Sequence, residues 1–211
     1  MSAAKFLKGS NASTIISTGR DGTIKFWDLT TGFCNHTIQP TSEPPNWIRC
    51  IAVSPGGGVF ATGGNDNVVN VWDVEGRKVR HELRGHEHVV NSVAFPDTET
   101  DGNGTGVDYM LVSASRDKTV RVWDASTGGE ICVFRNHCNW VRSVKVHRNP
   151  NFIVSVGDDR SLMVFDLKNK RCVREIKDAG THFLQAMDMH KTLAIVATAG
   201  ADNEIKIWKC D

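Results

Sequence analysis

The sequence predicts an all-β protein built from one repeated four-stranded unit, on three observations. First, five segments superpose on a single pattern: Ser or Thr, three residues, Asp, five residues, then Trp or Phe. They begin at Ser17, Thr62, Ser113, Ser155 and Thr198 and end at Trp27, Trp72, Trp123, Phe165 and Trp208. Second, these end anchors recur every 42 to 51 residues, a period long enough for four short strands and their turns. Third, helical periodicity is missing, whereas Val-Val-Asn-Val-Trp72, Thr-Val-Arg-Val-Trp123 and Ile-Lys-Ile-Trp208 are β-branched runs bounded by Asp, Asn or Gly.

The elements follow in order. Residues 1–13 are expected to hold little structure, with Lys5–Lys8 the only candidate strand. Residues 14–18, 23–27 and 33–38 read as the second, third and fourth strands of a first unit. Each later unit opens with an apolar stretch suited to an innermost strand: Trp47–Val53, Val89–Phe95, Trp140–Val146 and Phe183–Met189. The fifth unit has no room for an outer strand after Trp208, which brings the total to about eighteen strands. Units of this size and pattern are the blades of a WD-repeat β-propeller. The expected architecture is about four and a half blades over residues 14–211, an incomplete part of a seven-bladed ring.

Composition narrows the function. With 25 basic and 24 acidic side chains the net charge is +1, so bulk charge gives no reason to expect nucleic acid or an anionic membrane as partner. No apolar run approaches the roughly 18 residues of a membrane span. Cys34, Cys50, Cys132, Cys138, Cys172 and Cys210 form no Cys-x-x-Cys pair and read as free thiols of a reducing compartment. The eight His include no zinc-type spacing, and no glycine-rich phosphate loop is present. Hence neither metal nor cofactor is expected.

Ser, His and Asp recur from blade to blade, which suits a fastening network better than a hydrolase triad with its single nucleophile and oxyanion hole. In the third repeat His86, Ser113, Asp117 and Trp123 make a complete tetrad. The fourth keeps His137, Ser155 and Asp159 but has Phe165, which carries no donor. Pro44 and Gly180 take the His positions of the second and fifth repeats. No enzymatic activity is expected. The basic stretch Lys168, Lys170, Arg171, Arg174 and Lys177 lacks aromatic interleaving and reads as a solvated hairpin. The loop 97–108, acidic and glycine-bearing, is expected to be mobile.

Three stretches carry a resemblance to one family. They are Ser113 through Gly128, His137-Cys-Asn-Trp-Val-Arg-Ser-Val-Lys-Val-His147, and Asp158 through Cys172 with its Lys-Asn-Lys-Arg-Cys ending; His190-Lys-Thr and the closing Ile-Lys-Ile-Trp-Lys-Cys also fit. The chain resembles the C-terminal portion of the lissencephaly-type (nuclear distribution protein F) WD-repeat family over nearly its whole length. That resemblance implies a non-catalytic regulator of cytoplasmic dynein, in the cytoplasm and at the cytoskeleton and centrosome, acting in nuclear migration and microtubule-based transport. The implied partners are the dynein heavy chain motor domain and nuclear-distribution cofactors, with platelet-activating-factor acetylhydrolase catalytic subunits as an alternative. A generic adaptor role, such as a ubiquitin ligase substrate receptor, is the other reading. The family's partner-binding positions fall on Arg20, Trp47, Arg116, Trp140, Arg160 and His190. Arg160 stands where the family often has Lys, and the family's dimerisation motif, coiled coil and first blades have no counterpart here. Independently, Trp47 and Trp140 open innermost strands without belonging to a tetrad, and Trp and Arg are the residue types enriched in binding hot spots.

Overall fold

A computed structural model describes residues 1–8, 13–39, 45–97, 109–190 and 192–209, and contains no α-helix among them. Among the described residues nineteen strands form five antiparallel sheets. The first blade is β1 (Ala3–Phe6), β2 (Thr14–Thr18), β3 (Ile24–Asp28) and β4 (Cys34–Ile38); the second is β5 (Ile48–Val53), β6 (Val59–Gly64), β7 (Val69–Asp73) and β8 (Val79–Leu83). The third runs β9 (Val90–Ala94), β10 (Met110–Ser115), β11 (Val120–Asp124) and β12 (Glu130–Phe134). β13 (Val141–Val146), β14 (Phe152–Gly157), β15 (Leu162–Asp166) and β16 (Arg171–Ile176) make the fourth. The fifth blade has three strands, β17 (Leu184–Met189), β18 (Ile195–Gly200) and β19 (Ile205–Lys209).

One expectation changes. The stretch expected to hold little structure supplies β1, which pairs antiparallel with β2 from Ala3 opposite Thr18 to Phe6 opposite Ile15. The physical reason is a single anchor. Leu7 is only 3% exposed and packs with Ile16, Ile24, Phe26 and Phe60 between blades one and two. Its amide donates to the Thr14 carbonyl (2.8 Å), while that of Ser2 donates to Thr18 (2.7 Å). Backbone pairing plus one buried Leu thus holds a strand three of whose four residues, Ala3, Ala4 and Lys5, have poor β propensity.

The innermost strands β1, β5, β9, β13 and β17 pack against one another in sequence order, so neighbouring blades face each other across apolar layers. Four such layers exist. Phe26 meets Phe60 edge-on at 6.0 Å, and Phe60 stacks on Trp72 at 5.8 Å. Val71 and Leu83 pack with Leu111 and Trp123, and Phe134 stacks on Phe165 at 4.5 Å. Val156 and Leu162 meet Leu184 and Val196. Middle strands are covered on both faces, which is why every residue of β6 and β10 is buried. Each buried aromatic or aliphatic side chain contributes roughly 2–3 kcal/mol. The result is a partial propeller. Its last strand leaves Ile205 and Ile207 about three-quarters exposed (75% and 73%).

The fastening networks hold each blade's second and third strands to the turn between them. His86 Nδ1 lies 2.7 Å from Asp117 Oδ2, and its Nε2 lies 2.7 Å from Ser113 Oγ. Trp123 Nε1–H donates to the same Ser113 oxygen at 2.8 Å. With its proton on Nδ1, His86 donates to Asp117 and accepts the Ser113 hydroxyl, so every side-chain N–H and O–H of the tetrad is used. In the fourth blade His137 bridges Asp159 (2.7 Å) and Ser155 (2.6 Å), but Phe165 donates nothing. Burial pushes Asp117 and Asp159 up, yet the hydrogen bonds and charge of the paired imidazoles together with hydrogen bonds from the turn residues outweigh it and hold both below the usual carboxylate range. In blades one, two and five the described residues keep the Trp-to-hydroxyl bond of the tetrad without a His: Trp27 to Ser17, Trp72 to Thr62 and Trp208 to Thr198, at 2.8–2.9 Å. The fifth blade also substitutes for its missing His. Thr181, beside Gly180, donates its amide (2.9 Å) and hydroxyl (3.1 Å) to Asp202. Pro44, the corresponding position of blade two, and residues 98–108 of the loop expected to be mobile lie outside the described residues.

Candidate protein-binding face

The turn joining the second and third strands of each blade puts one residue immediately before the turn Asp: Arg20, Asn65, Arg116, Asp158 and Ala201. In four blades its amide donates to the carbonyl of the residue that opens the innermost strand. The pairs are Asn65 with Trp47 (3.0 Å), Arg116 with Val89 (2.9 Å), Asp158 with Trp140 (2.8 Å) and Ala201 with Phe183 (2.9 Å). These bonds place pre-turn side chains and strand-opening aromatics on one rim of the propeller. Gly64 and Gly157 permit the approach, since a Cβ there would come within 2.3 and 2.5 Å of the Trp47 and Trp140 carbonyl oxygens.

From that rim each pre-turn Arg reaches the Trp of the next blade. The Arg20 guanidinium lies 5.1 Å from the centre of a Trp47 ring, and Arg116 lies 4.5 Å from Trp140. A second Arg joins each pair from the innermost strand, two residues beyond the Trp. Arg49 lies 3.8 Å from Trp47, and Arg142 lies 5.1 Å from Trp140. Two Arg–Trp–Arg groups therefore stand at equivalent positions, one across blades one and two, the other across blades three and four. Cation–π contacts of this kind orient the guanidinium groups while leaving donors free. Both Trp are half-buried. The Trp47 indole N–H donates to Ser2 Oγ at 2.7 Å, and His88 lies 6.2 Å from Trp140.

The electrostatics are those of crowded cations. Burial and the like charges of Arg116, Arg142 and Arg20 lower the Arg49 pKa from its ordinary value. Burial and Arg142 do the same to Arg116, with Asp158 opposing. Guanidinium groups stay ionised under such shifts, so the repulsion persists as positive potential over the rim.

Not every expected residue joins. Arg160 sits in its turn with φ 61° and forms an ion pair with Asp178 at 2.9 Å. That directs it toward the outer loop and away from the Trp groups. His190 lies beyond the far end of β17, in the connection to β18, where its Nδ1 accepts the Leu193 amide at 2.9 Å. The six residues of β17 separate it from Phe183, about 20 Å along the strand, so it belongs to the opposite rim. The position match and the shared face part company here because strand direction, which motif matching ignores, decides the rim. Conversely, Arg49 and Arg142 escaped the motif reading. Their signal was the Trp-x-Arg triplet present in blades two and four, where blades three and five carry Asn91 and Gln185.

Comparison with known proteins agrees with this architecture. The family model described as WD domain, G-beta repeat matches residues 7–28, 32–73, 77–124 and 128–166. The chain belongs to that WD-repeat family. It is 32% identical over 206 residues to nuclear distribution protein PAC1 of Coccidioides posadasii, which covers 89% of the chain and 43% of that protein. Identity is 31% over 200 residues to nuclear distribution protein nudF of Emericella nidulans (89% and 44%). It is 34% over 189 residues to nuclear distribution protein PAC1 of Yarrowia lipolytica (84% and 42%). The chain spans less than half the length of these curated relatives.

Proposed function

We propose that the chain is a non-catalytic WD-repeat scaffold whose Arg- and Trp-bearing rim binds the cytoplasmic dynein motor domain in the nuclear-distribution pathway. The observation that carries the reading is the doubled Arg–Trp–Arg group: four guanidinium groups and two half-buried Trp gathered on one rim, with no fastening role. Half-buried Trp beside Arg is the composition of an interface hot spot, where flat aromatic area and planar donors act together. The relatives' names support a role in nuclear distribution, and the resemblance to the lissencephaly-type family supplies dynein as the partner and the cytoplasm as the setting of this reading. The rim residues in this role are Arg20, Arg49 and Trp47 on one side, and Arg116, Arg142 and Trp140 on the other.

The test is a pull-down with purified dynein motor domain, comparing wild type with the Arg116→Ala/Trp140→Ala double variant. Loss of two hot-spot side chains weakens binding by at least about thirtyfold. Undiminished capture of the double variant would remove the rim from the interface. Capture of neither protein would favour an adaptor for a different complex.

A further inference from the structure

The two Arg–Trp–Arg groups are equivalent in position but not in charge. In the blade-four group Arg142 is paired, its Nε and an Nη each donating to one oxygen of the largely buried Asp158 at 2.7 Å. The corresponding acceptor in blade two is Asn65, whose neutral Oδ1 accepts Arg49 Nε at 2.6 Å. Asn65 and Asp158 occupy the same pre-turn position of their repeats. One position therefore holds its Arg in the same way twice, once with a carboxylate and once without. Neither Arg20 nor Arg49 forms an ion pair among the described residues, whereas Arg142 pairs with Asp158, whose charge also acts at longer range on Arg116, itself bonded through Nε to Asn91 Oδ1 at 3.3 Å. The excess positive charge is concentrated beside Trp47.

We propose that the Arg20–Trp47–Arg49 group is the carboxylate-binding subsite of the rim, made for an acidic polypeptide segment, and that Asp158 restricts the Trp140 group to stacking contact. Three features favour a carboxylate ligand. Guanidinium donors are planar forks that match a carboxylate in bidentate geometry. Arg49 is held by a neutral amide through Nε, which leaves its terminal nitrogens without a protein acceptor among the described residues. The Trp47 ring supplies a flat apolar floor for the methylene groups of a Glu side chain. The single Trp in the group offers no row of aromatic platforms for successive bases, which sets an acidic peptide ahead of a nucleic acid. The inference rests on the proposed binding role of this rim and names the chemistry that one half of it recognises.

The experiment titrates the full 211-residue chain with a capped hexaglutamate peptide, following the indole N–H resonances of Trp47 and Trp140 by NMR at low and at 0.3 M salt. Wild type is compared with Arg49→Gln, Asn65→Asp and Asp158→Asn. Thermal unfolding of each variant checks that it is folded. The expected result is a shift of Trp47 ahead of Trp140, with affinity about tenfold lower for Arg49→Gln and Asn65→Asp and lower again in salt. Asp158→Asn, which removes the internal carboxylate, is expected to bring Trp140 into the titration with a severalfold gain in affinity. Equal affinity of wild type and Asn65→Asp, or first response at Trp140, would overturn the proposal. So would tighter binding of an oligothymidylate of equal charge. Hexaglutamate binding without dynein capture would leave this subsite standing and defeat the dynein reading. Dynein capture with no response to hexaglutamate would do the reverse.

Discussion

Replacing Ser113 with Ala tests whether the complete tetrad fastens the third blade more firmly than its relative fastens the fourth. The Ser113 oxygen serves two buried partners at once, accepting the Trp123 indole N–H at 2.8 Å and meeting His86 Nε2 at 2.7 Å. Its removal leaves both without a partner, and no other hydroxyl replaces it, because Thr119 Oγ1 contacts the opposite nitrogen of His86. Each stranded buried group costs about 1–3 kcal/mol, so Ser113→Ala loses roughly 2–5 kcal/mol. The same change at Ser155 strands only His137 Nε2, because Phe165 has no N–H to lose, and costs about 1–3 kcal/mol. The volume removed is the same, so the difference isolates one indole hydrogen bond. For a chain of this size, each kcal/mol lowers Tm by roughly 2–4 °C. Circular dichroism melts of wild type, S113A and S155A should therefore order S113A below S155A by several degrees. Equal melts, or S155A below S113A, would refute the claim that the Trp closes the network.

Two further outcomes follow from burial and charge. Asp117 and Asp159 have depressed folded pKa values, so they stabilise the fold at every pH above the unfolded carboxylate pKa of about 4 and lose that contribution as pH falls toward their folded values. Acid titration of stability should therefore steepen below about pH 4, and Asp117→Asn should flatten it; an unchanged slope would contradict the assignment. Cys50 is buried, with its thiol pushed up to about 12, whereas Cys34 and Cys138 are exposed. Labelling with an aromatic disulfide reagent should modify Cys34 and Cys138 in the folded protein and reach Cys50 only on unfolding.

The fold was legible because the fastening chemistry repeats. A Ser or Thr four residues before Asp, with an aromatic anchor six beyond it, marks two strands and their turn wherever it occurs, and five copies locate five blades. What spacing missed depends on partners from elsewhere in the chain. Ala3–Phe6 becomes a strand only because β2 offers an unpaired edge and Leu7 finds the layer between blades. Thr181 acts in place of His only because the turn Asp of its blade, Asp202, comes within reach. The rim was legible by half. Arg20, Trp47, Arg116 and Trp140 were visible as side chains without a fastening role, and they meet in pairs across blade boundaries. Arg49 and Arg142 were hidden inside innermost strands, where alternation alone does not distinguish a rim-facing Arg from one lining the centre. His190 matched a family position but falls on the opposite rim, and Arg160 turns to Asp178.

The central claim is that binding resides in the two Arg–Trp–Arg groups of one rim, and one comparison tests it most directly. The affinity of the dynein motor domain is measured by surface titration for wild type, the Arg116→Ala/Trp140→Ala pair and the Arg160→Ala/His190→Ala pair. The predicted result is a loss of at least about thirtyfold for the first pair and a change within about twofold for the second. Equal losses in the two pairs, or a loss confined to Arg160 and His190, would contradict the account.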